Sequence, residues 1–273
     1  MRLSRNRGLA VTEVSPPAQW NAAEYAANSA VQLAWARELI ARLPLRGDEH
    51  ILDVGCGDGK ITAELAQAVP RGSVTGVDAS EAMIHFAREK FPGLAFLLMD
   101  ARRIQFAKKF DLVFSNAALH WVDDHAAFLR GAAGALHSGG RLVVSCGGRG
   151  NGQDVVTVLH AELRLKRWRE YFRGMPMPYF FYAPADYHDW LAQTGFRAAA
   201  VELTPKDAVY EGFPGFATWL RTAWLPYTQR VPATVREEFI TAVTERYVTR
   251  HPPDPAGRVH VRLMRLELAA VKT

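Results

Sequence analysis

The stretch ILDVGCGDGKITAELA, residues 51–66, decides how the chain reads. An apolar run closes on Asp53 and Val54, three glycines follow at alternate positions, Gly55, Gly57 and Gly59, and apolar residues then recur at helical spacing. That order is a strand, a tight turn and a helix, the opening of a βαβ unit. Glycines in such a turn allow positive φ and let a ligand lie against the backbone. A pyrophosphate fingerprint would read G-x-G-x-x-G, but Lys60 stands where the third glycine belongs, and Asp53 and Asp58 would repel a doubly anionic group. The loop points instead to a ligand bearing positive charge and hydroxyls.

Working outward, apolar runs at His50–Val54, Ser73–Asp78, Ala95–Met99, Phe110–Ser115 and Gly140–Cys146 alternate with helical patterns at Gly59–Val69, Ser80–Lys90 and His125–Leu136. This predicts an α/β fold with a mostly parallel sheet. A leading helix is expected from Asn21 to Leu43, stopped by Pro44. Beyond Cys146 the periodicity weakens through GGRGNGQ and MPMPYFFY. It returns as a helix at Pro184–Thr194, a strand at Arg197–Leu203, a helical region over 213–248 and a last strand at Arg258–Lys272. The late strands are expected to complete the sheet, and the irregular stretches to cap its C-terminal edge. The expected division is an N-terminal helical cap segment over 1–44, a ligand-binding core over 45–146, a cap insertion over 147–182, a core helix and strand over 183–204, a second cap insertion over 205–257 and a final core strand over 258–273.

A chain of 273 residues suits one core with additions. No apolar run reaches the length of a membrane helix, and the basic start MRLSRNRGLAVTEV lacks an apolar signal segment, so a cytoplasmic protein with no membrane partner is expected. Two cysteines, Cys56 and Cys146, make neither a disulfide scaffold nor a zinc set; reduced thiols and no metal are expected. The net charge of +5 is mild. Without an RNA-binding aromatic motif, a Cys/His finger or a dense basic block, nucleic acid is not an expected partner.

Two further acids define the ligand. Asp78 ends the second strand in VTGVDAS, where a carboxylate can accept from both hydroxyls of a ribose. Asp100 ends the third in LLMDARR, where it can accept from an exocyclic amine or cap the next turn. With Asp53, these acids at three successive strand ends describe an uncharged nucleoside carrying a cationic appendage, which is S-adenosylmethionine.

Together LDVGCGDGKIT, GVDASEAM, the Asp100-Ala101 pair, FDLVFSNAALHW at 110–121 and the late SGGRLVV resemble, in order and spacing, the motifs of class I S-adenosylmethionine-dependent methyltransferases. The resemblance is strongest over residues 20–146 and implies a Rossmann-like, seven-stranded, mostly parallel sheet flanked by helices, with a helical cap. It further implies that Asp53, Gly55, Cys56, Gly57 and Gly59 lie along the methionine part of the cofactor, and that Asp78, Ala79 and Met83 hold ribose and adenine. Asp100 and Ala101 would meet the adenine edge. Asn116 and Ala117 would stand near the methionine end, with Tyr25 and Gln32 of the leading helix closing the set.

The segment NAALHW is similar to that of small-molecule carboxyl methyltransferases such as trans-aconitate 2-methyltransferase and malonyl-carrier-protein O-methyltransferase. Tyr25, Ser29 and Gln32 recur at spacings that put them on one helical face. By the resemblance, Gln32 and Trp121 bind the substrate carboxylate. A carboxylate is already ionised at neutral pH and needs no general base, so neutral N–H donors suffice to orient it. His120 would be the base if the acceptor were a hydroxyl or a carbon, as in a C- or O-methyltransferase on a 2-oxo acid or polyketide; a non-catalytic S-adenosylmethionine-binding protein is the reading from another class. The basic run RLKRWREYFR at 164–173 is either a solvated helix face or a contact for further substrate carboxylates or an acidic acyl carrier protein.

Overall fold

The computed structural model describes residues 20–273; the basic start MRLSRNRGLAVTEV lies outside them. Seven strands form one sheet: β1 (His50–Val54), β2 (Ser73–Asp78), β3 (Ala95–Leu98), β4 (Phe110–Asn116), β5 (Leu136–Gly147), β6 (Phe196–Tyr210) and β7 (Val259–Lys272), in the order β3-β2-β1-β4-β5-β7-β6. Strands β1 to β5 are parallel, and β7 runs antiparallel between β5 and β6. The helices are α1 (Ala22–Asn28), α2 (Ala30–Ala41), α3 (Lys60–Ala68), α4 (Glu81–Lys90), α5 (His125–Ala135), α6 (Gln153–Leu163), α7 (Pro184–Gln193), α8 (Gly212–Ala223), α9 (Leu225–Thr228) and α10 (Ala233–Arg250).

Period-two alternation buries both faces of the central strands. Leu52, Val54, Val113, Leu142 and Val144 pack with Phe128 and Leu129 of α5 and with Tyr187 and Leu191 of α7. Ile51, Leu112, Phe114 and Val143 pack with Leu39 of α2 and Leu65 of α3 on the other side. The strand order reverses between β1 and β4, so a ligand crevice is expected beyond their carboxyl ends.

The last hairpin differs from its expectation. Strand β6 was expected to end at Leu203 but pairs with β7 all the way to Tyr210↔Val259, whereas β5 leaves β7 at Gly147↔Arg265. Residues 205–210 and 259–264 therefore continue beyond the sheet as a two-stranded ribbon. Pro205 masks this continuation in the sequence, yet β6 is an edge strand, where proline is tolerated. The ribbon's Ala208, Val259, Val261 and Leu263 pack with Val155 and Leu159 of α6, Phe216 of α8 and Phe239 and Tyr247 of α10 to form the core of the helical cap.

The expected leading helix is two helices. Asn21 caps α1 by accepting from the Glu24 N–H at 3.1 Å, and the chain breaks at Ser29, with φ −91° and ψ 19°. Lys60 donates to the Ala26 carbonyl and lies 3.4 Å from the Ser29 hydroxyl, satisfying a terminal carbonyl that a continuous helix would have bonded internally. Helix α6 occupies a stretch that sequence periodicity leaves irregular, entered through Gly152 at φ 59°. The basic run at 164–173 is a series of turns rather than a helix, in which Arg167 pairs with Glu162 and Glu238. Both cysteines are free and buried. Among the described residues no helix is long and apolar enough to cross a membrane.

Candidate active site

All three loop glycines adopt positive φ: 76° at Gly55, 53° at Gly57 and 84° at Gly59. At Gly55 sterics add a second demand, because a Cβ there would stand 2.1 Å from the Ala118 Cβ. Over Gly57 the space is open, with the Tyr25 ring the nearest group at 3.9 Å. The loop is tied to β2 by the Gly55 and Cys56 N–H groups, which donate to the Val77 carbonyl at 2.8 and 3.0 Å. Cys56 contributes backbone alone, since its side chain is buried with Ile84, Ala87 and Phe96.

The three acids have different surroundings. Asp78 accepts from the Gly57 N–H at 3.0 Å and the Ser80 N–H at 2.8 Å, linking the glycine loop to the start of α4; burial raises its pKa against these bonds. Asp53 is buried and accepts from the Thr62 hydroxyl at 2.7 Å, and burial, aided by the charge of Asp78, lifts it to about 7. Asp100 is already engaged: both its oxygens accept from Arg102, at 2.6–3.1 Å, and it caps the short turn Ala101–Arg103. The Arg102 hydrogen bond holds its pKa down. The capping role open in the sequence is thus the one its side chain performs here. Met83 is buried and donates its N–H to the Ser80 hydroxyl; Ala79 is exposed beside Asp78, and Ala101 is half-buried.

A further acid stands in the glycine loop. Asp58 is buried, and its Oδ2 has no hydrogen-bond partner, with the Lys60 ammonium 3.3 Å away. An open cradle over Gly57, a buried carboxylate oxygen in the same loop that accepts no hydrogen bond and the Asp78 carboxylate at the end of β2 fit S-adenosylmethionine.

After β4 the chain turns sharply at Ala117, whose φ is 56°, and its N–H donates to the Ser145 carbonyl at 2.7 Å. The turn Leu119–Trp121 is held from behind by His125, bonded to the Leu119 carbonyl at 2.7 Å and the Tyr187 hydroxyl at 2.6 Å; burial pushes its pKa to about 4. Asn116 is spent on the wall of the site, donating to the Gln32 carbonyl at 3.3 Å and accepting from Arg265 at 3.0 Å.

These elements enclose a cavity of about 90 Å³ between the sheet edge and the cap. Tyr25, Gln32, Ala117, His120 and Trp121 all line it, although the break at Ser29 places Tyr25 and Gln32 on separate helices. Trp121 stands edge-on to Trp20 and Tyr179, with ring centroids 5.1 and 5.0 Å apart. Among the described residues neither its indole N–H nor the Gln32 amide has a hydrogen-bond partner, so both remain available to a ligand. His120 is not available in the same way. Its Nδ1 accepts from the Gly147 N–H at 3.3 Å, which leaves the proton on Nε2, and burial together with the charge of Arg265 pushes its pKa to about 3. Burial also raises the phenols of Tyr25, Tyr179 and Tyr210, and among the described residues no carboxylate lines the cavity.

Sequence reasoning misses Arg265. It is 4% exposed on β7 and lines the same cavity. Its Nε donates to the Ser145 hydroxyl at 3.2 Å and its Nη2 to the Ser145 carbonyl at 2.8 Å, with the guanidinium 5.3 Å over the Trp35 ring. The readable signal was phase: Arg265 falls in step with Val259, Val261 and Leu263, the buried side of an alternating strand. The basic run at 164–173 stands elsewhere; Arg164 and Arg169 border a second cavity, of about 390 Å³, with His160 and Met175.

Sheet order, the glycine turn after β1 and the acid ending β2 define a class I S-adenosylmethionine-dependent methyltransferase. The methyltransferase-domain family matches residues 52–144. An uncharacterized methyltransferase of Schizosaccharomyces pombe is 34% identical over 197 residues, covering 68% of this chain and 74% of that protein. Trans-aconitate 2-methyltransferase of Rhodopseudomonas palustris is 28% identical, covering 93% of this chain and 100% of that one. Among solved structures, the geranyl diphosphate C-methyltransferase of Streptomyces coelicolor, in complex with Mg²⁺, geranyl diphosphate and S-adenosylhomocysteine, shares the fold at a TM-score of 0.52 with 17% identity, covering 88% of this chain and 79% of that one. The chain belongs to the S-adenosylmethionine-dependent methyltransferases.

Proposed function

We propose that the protein transfers a methyl group to a small-molecule carboxylate, forming a methyl ester. When bound, S-adenosylmethionine supplies the electrophilic methyl group. The observation that carries the reading is a cavity whose described lining residues supply hydrogen-bond donors but no group able to take a proton at neutral pH. His120 is neutral with its Nδ1 lone pair already engaged, and the lining phenols are held protonated by burial. A hydroxyl or carbon acid would need a base; a carboxylate arrives ionised. The full-length match to trans-aconitate 2-methyltransferases, named for a carboxylic acid, supports the same choice.

Each residue has a role the chemistry requires. Asp58, Gly57 and Asp78 would hold the cofactor, with Tyr25 closing over Gly57. Gln32 and Trp121 donate uncharged hydrogen bonds that orient the acceptor oxygen without fixing its charge in the ground state. The aromatic walls exclude water, so rate comes from proximity and alignment. Replacing Gln32→Ala or Trp121→Phe is expected to lower kcat about 10- to 100-fold, because the acceptor oxygen is no longer held in line with the methyl group. Affinity for S-adenosylhomocysteine should stay within about twofold. Full activity in both variants would refute the assignment.

A further inference from the structure

We infer that Arg265 is the anion anchor of the acceptor cavity, and that it selects a compact acid with one carboxylate on an apolar body. The inference rests on the carboxylate reading above and names the substrate class within it.

A buried guanidinium is costly unless an opposite charge or a full set of acceptors satisfies it. Arg265 meets neither condition. Its Nε and Nη2 are held by Ser145 and Asn116, all uncharged partners, and no acid pairs with it among the described residues. Its Nη1 donates to no group of the described residues, and the side chain borders the cavity. The two bonded nitrogens and the Trp35 ring fix the plane of the guanidinium, so its free nitrogen is a preoriented, charged donor. Such a donor is suited to one carboxylate oxygen.

The rest of the lining sets the other half of the substrate. Among the described residues Arg265 is the lone charged side chain bordering the cavity, whose cap-side wall is Tyr179, Phe181, Trp219 and Trp224. A tricarboxylate such as trans-aconitate would press two more carboxylates against these rings without a countercharge. The basic run offers no help, since its Arg164 and Arg169 border the other cavity. One anion and an apolar remainder match the lining.

This divides labour inside the site. Methyl transfer removes the carboxylate's charge, so the contact with Arg265 weakens along the reaction and contributes to binding more than to rate, whereas Gln32 and Trp121 hold the oxygen in line for the transfer itself. Arg265→Gln should therefore raise KM at least tenfold and leave kcat within about threefold.

The direct test measures binding to protein saturated with S-adenosylhomocysteine, read by tryptophan fluorescence, because Trp35 and Trp121 line the cavity. The probes are 3-methylbutanoate, its uncharged amide 3-methylbutanamide, and propane-1,2,3-tricarboxylate. The acid is expected to bind at least tenfold tighter than either of the others. Arg265→Gln should lose that advantage, Arg265→Lys should recover part of it, and both should keep their affinity for S-adenosylhomocysteine. Tighter binding of the tricarboxylate would overturn the inference. So would an Arg265→Gln variant that weakens S-adenosylhomocysteine and not the acid, since the anion held would then be the cofactor's own carboxylate. If the variant does not fold, the acid-against-amide comparison on the unaltered protein decides alone. An acid bound through Arg265 but never methylated would remove the methyl-ester reading and leave the anchor standing; no binding of any carboxylate would overturn both.

Discussion

The glycine loop and the cap meet at one cavity but are built on opposite principles. The loop is backbone: three glycines at positive φ, N–H groups bonded to Val77 and Asp78, and few side chains. The cap is side chain: Tyr179 comes from the loop before α7, Trp219 and Trp224 from α8 and its C-cap, and they make a wall by packing on one another, with Tyr179 and Trp224 edge to face at 5.2 Å. A backbone site suits a ligand whose chemistry never changes, because its geometry leaves little to vary. An aromatic wall can be re-cut residue by residue, which suits the half of the site that meets the variable acceptor.

The sharpest way to break this contrast is at the backbone. Gly55→Ala adds a Cβ 2.1 Å from that of Ala118 at a position with φ 76°. The clash and the strain together should cost about 3 kcal/mol or more, a fall in Tm on the order of 10 °C, with loss of S-adenosylhomocysteine binding. Adding Ala118→Gly should recover the steric part and not the conformational part, as thermal unfolding of the two variants would resolve.

Next in size is the acid beneath that backbone. Folding raises the Asp53 pKa to about 7 from its ordinary value near 3.8. Its contribution to stability is therefore fully present below about pH 4 and is lost as pH rises through 7. Urea unfolding without cofactor should find the protein weaker at pH 8 than at pH 5. Asp53→Asn keeps an acceptor for Thr62 and should flatten that slope, on the order of 2–4 kcal/mol across the range.

The cap has its own buried acid, with the opposite sign. Burial works to raise the Glu162 pKa, but hydrogen bonds from Arg167, Arg246 and Trp168, at 3.0, 2.6 and 3.1 Å, outweigh it and the net shift is downward. Its stabilisation is present above the ordinary carboxylate range and is lost as pH falls below about 4. Because both arginines are about half exposed, Glu162→Gln should cost only about 1–2 kcal/mol. Far-ultraviolet and tryptophan signals that separate on acidification would locate the loss in the cap.

Smallest is an effect expected to be absent. His120 sits at about 3, so kcat/KM should be level from about pH 6 to pH 8.5 apart from substrate ionisation. A limb near 6.5 that disappears in His120→Asn would return proton transfer to this residue.

How much of this was legible follows the same division. The first βα unit could be read because its signals are local: apolar run, glycine turn and amphipathic helix occupy adjacent residues, and His50–Val54 and Ser73–Asp78 match in position. The place of Asp78 at the end of β2 was legible for the same reason. Asp100 was not, since its choice between a ligand and Arg102 depends on a side-chain rotamer. The break at Ser29 depends on Lys60, the first residue of another helix, and the run of β6 past Pro205 depends on its edge position. Arg265 lies far along the chain from Asn116 and Ser145; a buried phase could be seen in β7, but not what the arginine would face.

The central claim is that the methyl group lands on a carboxylate oxygen, and one measurement addresses it directly. Purified protein would be incubated with tritium-methyl S-adenosylmethionine and a panel of monocarboxylic, dicarboxylic and tricarboxylic acids, and each labelled product treated with mild base. The expected result is volatile, base-released label, the methanol of a methyl ester. Label that stays on the product after base would place the methyl on carbon, nitrogen or an ether oxygen and contradict the assignment.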